Sequence, residues 1–252
     1  PAPWANALAN KDFGAIVSEA GLGCTFAGNA GENRLTPWHN DPLADPQGEA
    51  LYLRDEETGA VWTISPLPAG DLAACMIEHR PGATVWRRES EGLDQQMACS
   101  VACEDPVKLI RITLANRLDT PRRITATFFA DWLLGAVTGE PGPYRKSWYR
   151  PDLHALMAQN RWHRDFAGRT AFLAATLPPH SLTTSRREFL GVAGDWRRPD
   201  GLAAWELGDR TANFGEDAAA ALQVHVDIPA GEKAEFAFVL GQAETEADAA
   251  VL

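Results

Sequence analysis

Between Gly28 and Gly48 the chain crowds Asn29, Glu32, Asn33, Arg34, Trp38, His39, Asn40, Asp41 and Asp45 into a run broken by Gly31, Pro37, Pro42 and Pro46. Amides, carboxylates, a guanidinium and an indole held together suit a sugar. The C–H face of a pyranose stacks on an aromatic ring while its hydroxyls exchange hydrogen bonds with polar side chains. Arg34, Trp38, Asn40 and Asp41 are the candidates for such contact, with Arg54 a little downstream. Glu32, Asp41 and Asp45 are also the carboxylates available for acid chemistry, since glycosidic cleavage needs an acid to protonate the leaving oxygen. Loop carboxylates beside proline more often cap their own turns, so none is assigned a catalytic role. Such a run cannot be helical, because proline lacks an N–H and biases its predecessor toward extended backbone. Nor can it be a buried strand, because too many side chains need partners. The expectation is a long ordered loop at one end of a β scaffold, its prolines lowering the entropy cost of ordering. It leads into strands at 50–54 and 60–64, joined by the turn residues Asp55, Glu56, Glu57, Thr58 and Gly59.

Two further stretches carry notable side chains. Residues 137–152 read as a Pro/Gly-rich loop holding Tyr144, Arg145, Lys146, Trp148, Tyr149 and Arg150. Trp148 and Tyr149, beside basic donors, complete the set of candidate sugar-binding residues; the alternative is that they pin the loop to the scaffold. Residues 186–201 bring Arg186, Arg187, Trp196, Arg197 and Arg198 near a strand end and read as a surface for a partner's carboxylates. Trp4, Trp62, Trp86, Trp132, Trp162 and Trp205 are assigned to core or rim. That leaves Trp38 and Trp148, both in proline-containing polar loops, as the stacking platforms.

A chain of 252 residues can bury one large core, and all-β folds often reach this size as a single domain. Its 45% apolar and 23% charged content is ordinary for a globule. No apolar run approaches the ~20 residues needed to span a bilayer. The opening PAPWANALANKDFG has neither the basic nor the apolar region of a signal peptide. With no initiator Met, it is expected to be a fragment of a longer protein. A net charge of −11 disfavours nucleic acid and anionic membrane as partners and is neutral about sugars. The four cysteines read as reduced and structural. Cys99 and Cys103 would lie roughly 13 Å apart on one strand, too far to bridge, and their spacing is not that of a zinc site. No cofactor and no metal is expected.

The rest of the chain is strand and turn. Extended segments are expected at 13–19, 22–27, 72–78, 83–89 and 93–103, with Pro81-Gly82 and Glu91-Gly92 as turns. Residues 107–117 and 122–134 are apolar on both faces, which belongs in the middle of layered sheets. The short link Leu118-Asp119-Thr120-Pro121 predicts a hairpin between them. Leu222, Val224, Val226 and Ile228 alternate with Gln223, His225 and Asp227, and lead through Pro229-Ala230-Gly231 to Phe236, Phe238 and Leu240. That pattern predicts a second hairpin with one solvent face. Helical periodicity is absent apart from a short stretch at 245–252. The expected fold is all-β, a large antiparallel two-sheet sandwich forming one domain over residues 1–252.

The run ENRLTPWHNDPLADPQGEA, with Pro3-Trp4-Ala5-Asn6 and Phe13-Gly14 upstream, the stretch Val17-Ser18-Glu19, and RREFLG at 186–191, resembles the N-terminal β-sandwich domain of glycoside hydrolase family 94. That family includes cellobiose and chitobiose phosphorylases and cyclic β-1,2-glucan synthases, the last branch being the most similar. The resemblance extends over nearly the whole chain. It implies a galactose mutarotase-like super-sandwich and an accessory role in binding β-linked glucan or oligosaccharide and shaping an active site. It also implies a C-terminal α/α-barrel partner carrying the catalytic Asp and the phosphate site, and association as a homodimer. The alternative is a docking or dimerisation module with no sugar affinity of its own. A more remote one is an aldose 1-epimerase-like enzyme, for which His154, His163 and His225 show no distinctive spacing and His225 reads as solvent-facing. The expected location is the cytoplasm, alone or within a parent anchored at the inner membrane.

Overall fold

In a computed structural model the chain is described over residues 3–136, 144–212 and 215–252. It begins with β1 (Ala5–Ala9), β2 (Phe13–Ser18) and β3 (Cys24–Ala27), which form a small antiparallel sheet. After the 28–48 loop come β4 (Glu49–Asp55), β5 (Val61–Thr63), β6 (Cys75–Arg80), β7 (Ala83–Ser90), β8 (Leu93–Val101), β9 (Val107–Asn116) and β10 (Arg122–Asp131). Then follow β11 (Arg145–Arg150), β12 (Ala155–Asn160), β13 (Thr170–Ala175), β14 (Ser181–Ser185), α1 (Arg186–Leu190), β15 (Ala218–Ile228), β16 (Lys233–Ala243) and α2 (Glu246–Ala249). Two large antiparallel sheets face each other. One is five-stranded, in the order β14-β15-β10-β4-β5, and the other eight-stranded, in the order β11-β12-β13-β16-β9-β8-β7-β6.

The core between them is built by alternation. Ile110, Ile112 and Leu114 of β9 meet Ile124, Ala126 and Phe128 of β10 in one continuous cluster with Trp86, Leu222 and Phe238. Every strand here contributes every second side chain to that layer, as the period of two requires. The five-stranded sheet is covered on its outer face as well. Tyr52 and Phe129 point outward into Phe189, Leu190, Leu202 and Leu207. Phe129 stacks on Phe189 at 4.5 Å and meets Trp196 edge-on at 5.0 Å. This explains the doubly apolar β10. On the eight-stranded sheet the outer face of β9 is more open, with Arg111 exposed.

Both expected hairpins are corrected. β9 lies in the eight-stranded sheet and β10 in the five-stranded one, and the same holds for β16 and β15. Each link therefore turns a corner from layer to layer, so that the apolar faces of consecutive strands close on each other. Asn116 joins the two corners. Its buried amide donates to the carbonyls of Thr120 at 2.7 Å and of Ile228 and Pro229 at 3.2 Å, while its Oδ1 accepts from Leu118 N. The face of β15 expected to meet solvent is partly covered, and Gln223 is buried against Ser181.

Two segment readings also change. The strand expected at 72–78 begins only at Cys75, because Asp71 caps Ala73 N and pairs with Arg88. Of the loop expected at 137–152, residues 137–143 lie outside the described residues, and 145–150 are the edge strand β11, paired in register with β12. The short helix expected near the end is α2, with Thr245 accepting from Asp248 N at its start.

One polar cluster crosses the apolar layer. Lys108 Nζ donates to Glu49 Oε2 at 2.8 Å and to the Leu22 carbonyl at 2.9 Å, both side chains being fully buried. The other oxygen, Glu49 Oε1, accepts from Thr25 Oγ1 at 2.5 Å and Thr36 Oγ1 at 2.7 Å. Burial works most strongly against the Lys108 charge, but the Glu49 carboxylate and its hydrogen bond, together with the neighbouring Cys99 and Cys24, hold the ammonium above its ordinary range. The cysteines are free, with Cys24 and Cys99 buried; burial pushes each of these thiols up to about 11.

Candidate functional site

The 28–48 loop is ordered and lies across the end of the sandwich where β3 stops, β4 starts and β10 stops. Its prolines and glycines alternate between anchors and outward turns. Asn33 is buried, donating to the Ala27 carbonyl at 2.8 Å and to Gln242 Oε1 at 2.6 Å. Arg34 bridges Phe26 and Gly135 through its backbone and donates from Nε to the Ala30 carbonyl at 2.7 Å. Thr36 joins the Glu49 cluster, and Gln47 Oε1 accepts from Gly23 N at 2.6 Å. Gly23 itself sits at φ 62, where an added Cβ would lie 1.9 Å from the Ile16 carbonyl oxygen. Room for Gln47 comes from Gly21, where an added Cβ would lie 2.6 Å from Gln47 Oε1.

Between these anchors the chain bulges outward at 38–46. Trp38 is half-buried beside Ser18, Asn40, Asp41 and Pro46 in a cleft of about 200 Å³. Asn40 is exposed at φ 49. Asp41 Oδ1 accepts from Leu43 N at 2.9 Å and Ala44 N at 3.2 Å, and these N–H groups hold its carboxyl below the usual range. Asp45 Oδ2 accepts from Ser18 Oγ at 2.5 Å. Asp41 thus stabilises its own turn, as its position beside proline suggested, whereas Asp45 ties the loop to Ser18 of β2.

The seven candidate residues do not converge. Arg34, Trp38, Asn40 and Asp41 share the loop end. Arg54 lies toward the far end of β4, paired with Glu56 at 2.5 Å. Trp148 and Tyr149 are neighbours on β11, so their side chains take opposite faces of the sheet. Trp148 packs on the outer layer, with Lys146 Nζ 5.5 Å from its ring centroid, while Tyr149 packs against the inter-sheet core. Neither Trp38 nor Trp148 is the most exposed indole: both are half-buried, whereas Trp4 is 76% exposed.

Two aromatic groups escaped the sequence reading. Tyr144 and Trp162 stack at 4.7 Å with 41% and 59% of their surfaces exposed. They stand at the loop end, where the adjoining His163 Nε2 meets the Glu32 carbonyl at 2.9 Å. The polar run Asn160-Arg161-Trp162-His163-Arg164-Asp165 surrounds its indole with side chains that need partners, but it lacks the prolines that singled out Trp38. The other group is His225, expected in plain solvent, whose ring stacks on His180 and meets Trp205. Nearer the loop, Arg186 Nε pairs with Asp131 at 3.0 Å. Burial raises the Asp131 carboxyl although Arg186 opposes it.

The sequence matches the glycosyl hydrolase 94 supersandwich domain over residues 1–252. The chain belongs to that family. As a family 94 supersandwich domain, it is 31% identical over 97% of its length to cyclic beta-(1,2)-glucan synthase NdvB of Rhizobium meliloti (strain 1021), and covers 9% of that protein. It is 26% identical over 96% of its length to N,N'-diacetylchitobiose phosphorylase of Vibrio proteolyticus, of which it covers 31%. The chain thus spans less than a third of these relatives. Among solved structures it resembles a GalM/aldose epimerase homologue from C. elegans with a TM-score of 0.55 and 12% identity, covering 97% of this domain and 100% of that chain. That likeness shows the galactose mutarotase-like sandwich and nothing about chemistry.

Proposed function

We propose that this family 94 domain is the ancillary, non-catalytic part of a larger enzyme acting on β-linked glucans. Its 28–48 end faces a separate α/α-barrel catalytic domain, shapes the approach to that domain's active site and holds part of a glucan chain. The observation that carries this reading is the pinned loop. Buried Asn33, Thr36 and Gln47 fix its backbone, so that Trp38 and Asn40 are presented without an ordering cost on binding. Arg34 and Asp41 are committed to the loop's own carbonyl and N–H groups, and contribute through their remaining donors and lone pairs. Tyr144 and Trp162 extend the same end with a second aromatic surface. Arg54, Trp148 and Tyr149 stand apart from it, and the loop-end contact does not depend on them.

Each hydrogen bond to a sugar hydroxyl replaces one to water, leaving ~1 kcal/mol net. One stacked ring and a few such bonds give a Kd near the millimolar end, on the order of −4 kcal/mol. Titration with linear β-1,2-glucan oligosaccharides, followed by amide NMR, is expected to shift residues 36–46, and Trp38→Ala to remove those shifts. Incubation with cellobiose, sophorose or β-1,2-glucan, with and without phosphate, is expected to release neither glucose nor glucose 1-phosphate. Turnover lost on replacing one of the chain's own carboxylates overturns the non-catalytic reading. Absence of shifts at tens of millimolar, about tenfold above the expected Kd, favours the docking or dimerisation module instead. Exposed Leu43, Val192, Arg187, Arg197 and Arg198 speak for that second reading.

A further inference from the structure

At the end of the five-stranded sheet remote from the loop, a cavity of about 520 Å³ opens between Glu56, Glu57, Pro121, Arg123, Trp205 and Pro229. The length of β10 alone separates the two ends by roughly 30 Å. Trp205 is 44% exposed, yet it is not loosely held. His180, just before β14, and His225, in β15, stack with centroids 3.7 Å apart and planes inclined by 24°. The indole meets His180 at 5.3 Å and 78° and His225 at 4.6 Å and 65°. A side chain with two torsions, braced by two rings, loses little freedom when a ligand lands on it.

This bracing carries a cost. The Nε2 atoms of both imidazoles are buried without a hydrogen-bond partner. An apolar side chain at either position would cover the sheet without leaving a polar atom unsatisfied. Buried orphans of this kind ask for an explanation beyond packing. Around the indole, Arg123 forms a bidentate pair with Asp227 at 2.6 and 2.8 Å, both partners reaching into solvent. Glu57 is exposed, and Glu56 accepts from Arg54 at 2.5 Å and from Thr125 Oγ1. Pro121, Ile228 and Pro229 supply apolar surface.

We infer that Trp205, with Arg123, Asp227 and Glu57 around it, binds a neutral pyranose ring of a glucan chain. The apolar C–H face lies on the indole and the proline surface. The ring hydroxyls bridge the outward edges of the Arg123–Asp227 pair and the Glu57 carboxylate. Glu56, Glu57 and Asp227 line the cavity against Arg122 and Arg123, and both arginines are already paired, with Asp55 and Asp227, which favours an uncharged saccharide over a sugar phosphate. This site is independent of the loop end and stands whether or not the loop binds sugar.

The test is NMR titration of the chain with linear β-1,2-linked glucan oligosaccharides and with cellotetraose. The Trp205 indole N–H and the amides of Glu56, Glu57, Arg123 and Asp227 are expected to shift with a Kd on the order of millimolar. Trp205→Ala is expected to weaken those shifts at least about tenfold, Trp205→Phe to keep part of the affinity, and Trp38→Ala to leave them unchanged. If Trp205→Ala fails to fold, the paired change Arg123→Gln and Asp227→Asn leaves the indole in place. It is expected to weaken binding at the same amides about fivefold or more. Shifts confined to residues 36–46 support the loop end and overturn this site, and shifts confined to the Trp205 end do the reverse. Absence of any shift around Trp205 at about 50 mM, or shifts there that survive these substitutions, also overturns the inference.

Discussion

Replacing Lys108 with Met removes the cation that pairs with Glu49 inside the sandwich. Both side chains are fully buried and 2.8 Å apart, so no water screens what is left. Glu49 keeps its bonds from Thr25 and Thr36, but its second oxygen and the Leu22 carbonyl lose the Lys108 donor. Breaking a buried pair by removing one partner costs about 3–5 kcal/mol. In a domain of this size that corresponds to a fall in Tm of roughly 6–20 °C. Adding Glu49→Gln to Lys108→Met removes the stranded charge and leaves an oxygen for the two threonines. The double variant is therefore expected to be more stable than Lys108→Met alone by about 1–3 kcal/mol. Urea unfolding of the four-member cycle, followed by far-UV circular dichroism and indole fluorescence, gives both quantities. A loss under about 1 kcal/mol for Lys108→Met, or costs that simply add, would refute the reasoning that this pair acts as a unit.

Asn116→Ala leaves three carbonyls and one N–H at the corners without their shown side-chain partner and is expected to cost about 2–4 kcal/mol in the same urea assay. Asn116→Asp is expected to lie nearer the alanine variant than the wild type, because a carboxylate cannot donate to those carbonyls. Burial, then the neighbouring His180, holds His225 below the ordinary histidine value of 6.5. The unfolded chain therefore binds the proton more readily, so stability is full above pH 6.5 and falls as pH drops from there through the lower folded pKa. Melting curves across that window are expected to show the decline, and His225→Leu to flatten it; an unchanged slope in the variant would count against the buried neutral stack.

Much of the scaffold was legible in the residues. The alternation Leu93, Gln95, Met97, Cys99 marks the inward row of β8, and the prolines of 37–46 mark the loop that breaks the strand pattern. Layer membership was not legible. The link 118–121 is as compatible with a corner as with a hairpin, and the difference lies in what Asn116 reaches on a strand more than a hundred positions away. Exposure of the indoles was misjudged for a related reason. Trp148 was read from its neighbours Pro141, Pro143 and Pro151, yet pairing with Met157 makes it part of a sheet. Of the loop-end candidates, the shared location of Arg34, Trp38, Asn40 and Asp41 follows from their proximity in the chain. The Tyr144–Trp162 and His180–His225–Trp205 groupings arise only through space, where local pattern carries no information.

The assignment of 145–150 to an edge strand has a consequence for how the molecule behaves among copies of itself. An eight-stranded sheet ends in two rows of backbone groups able to template a foreign strand, which is the first step of fibrous assembly. Here both borders are charged. β11 carries Arg145, Lys146 and Arg150, the last tied to Asp152 and Glu246 at 2.7 Å. β6 carries Glu78 and Arg80 as a pair at 2.5 Å. A strand arriving at either border must strip water from these groups before it can register, so β11 works as a guard rail for the sheet it completes.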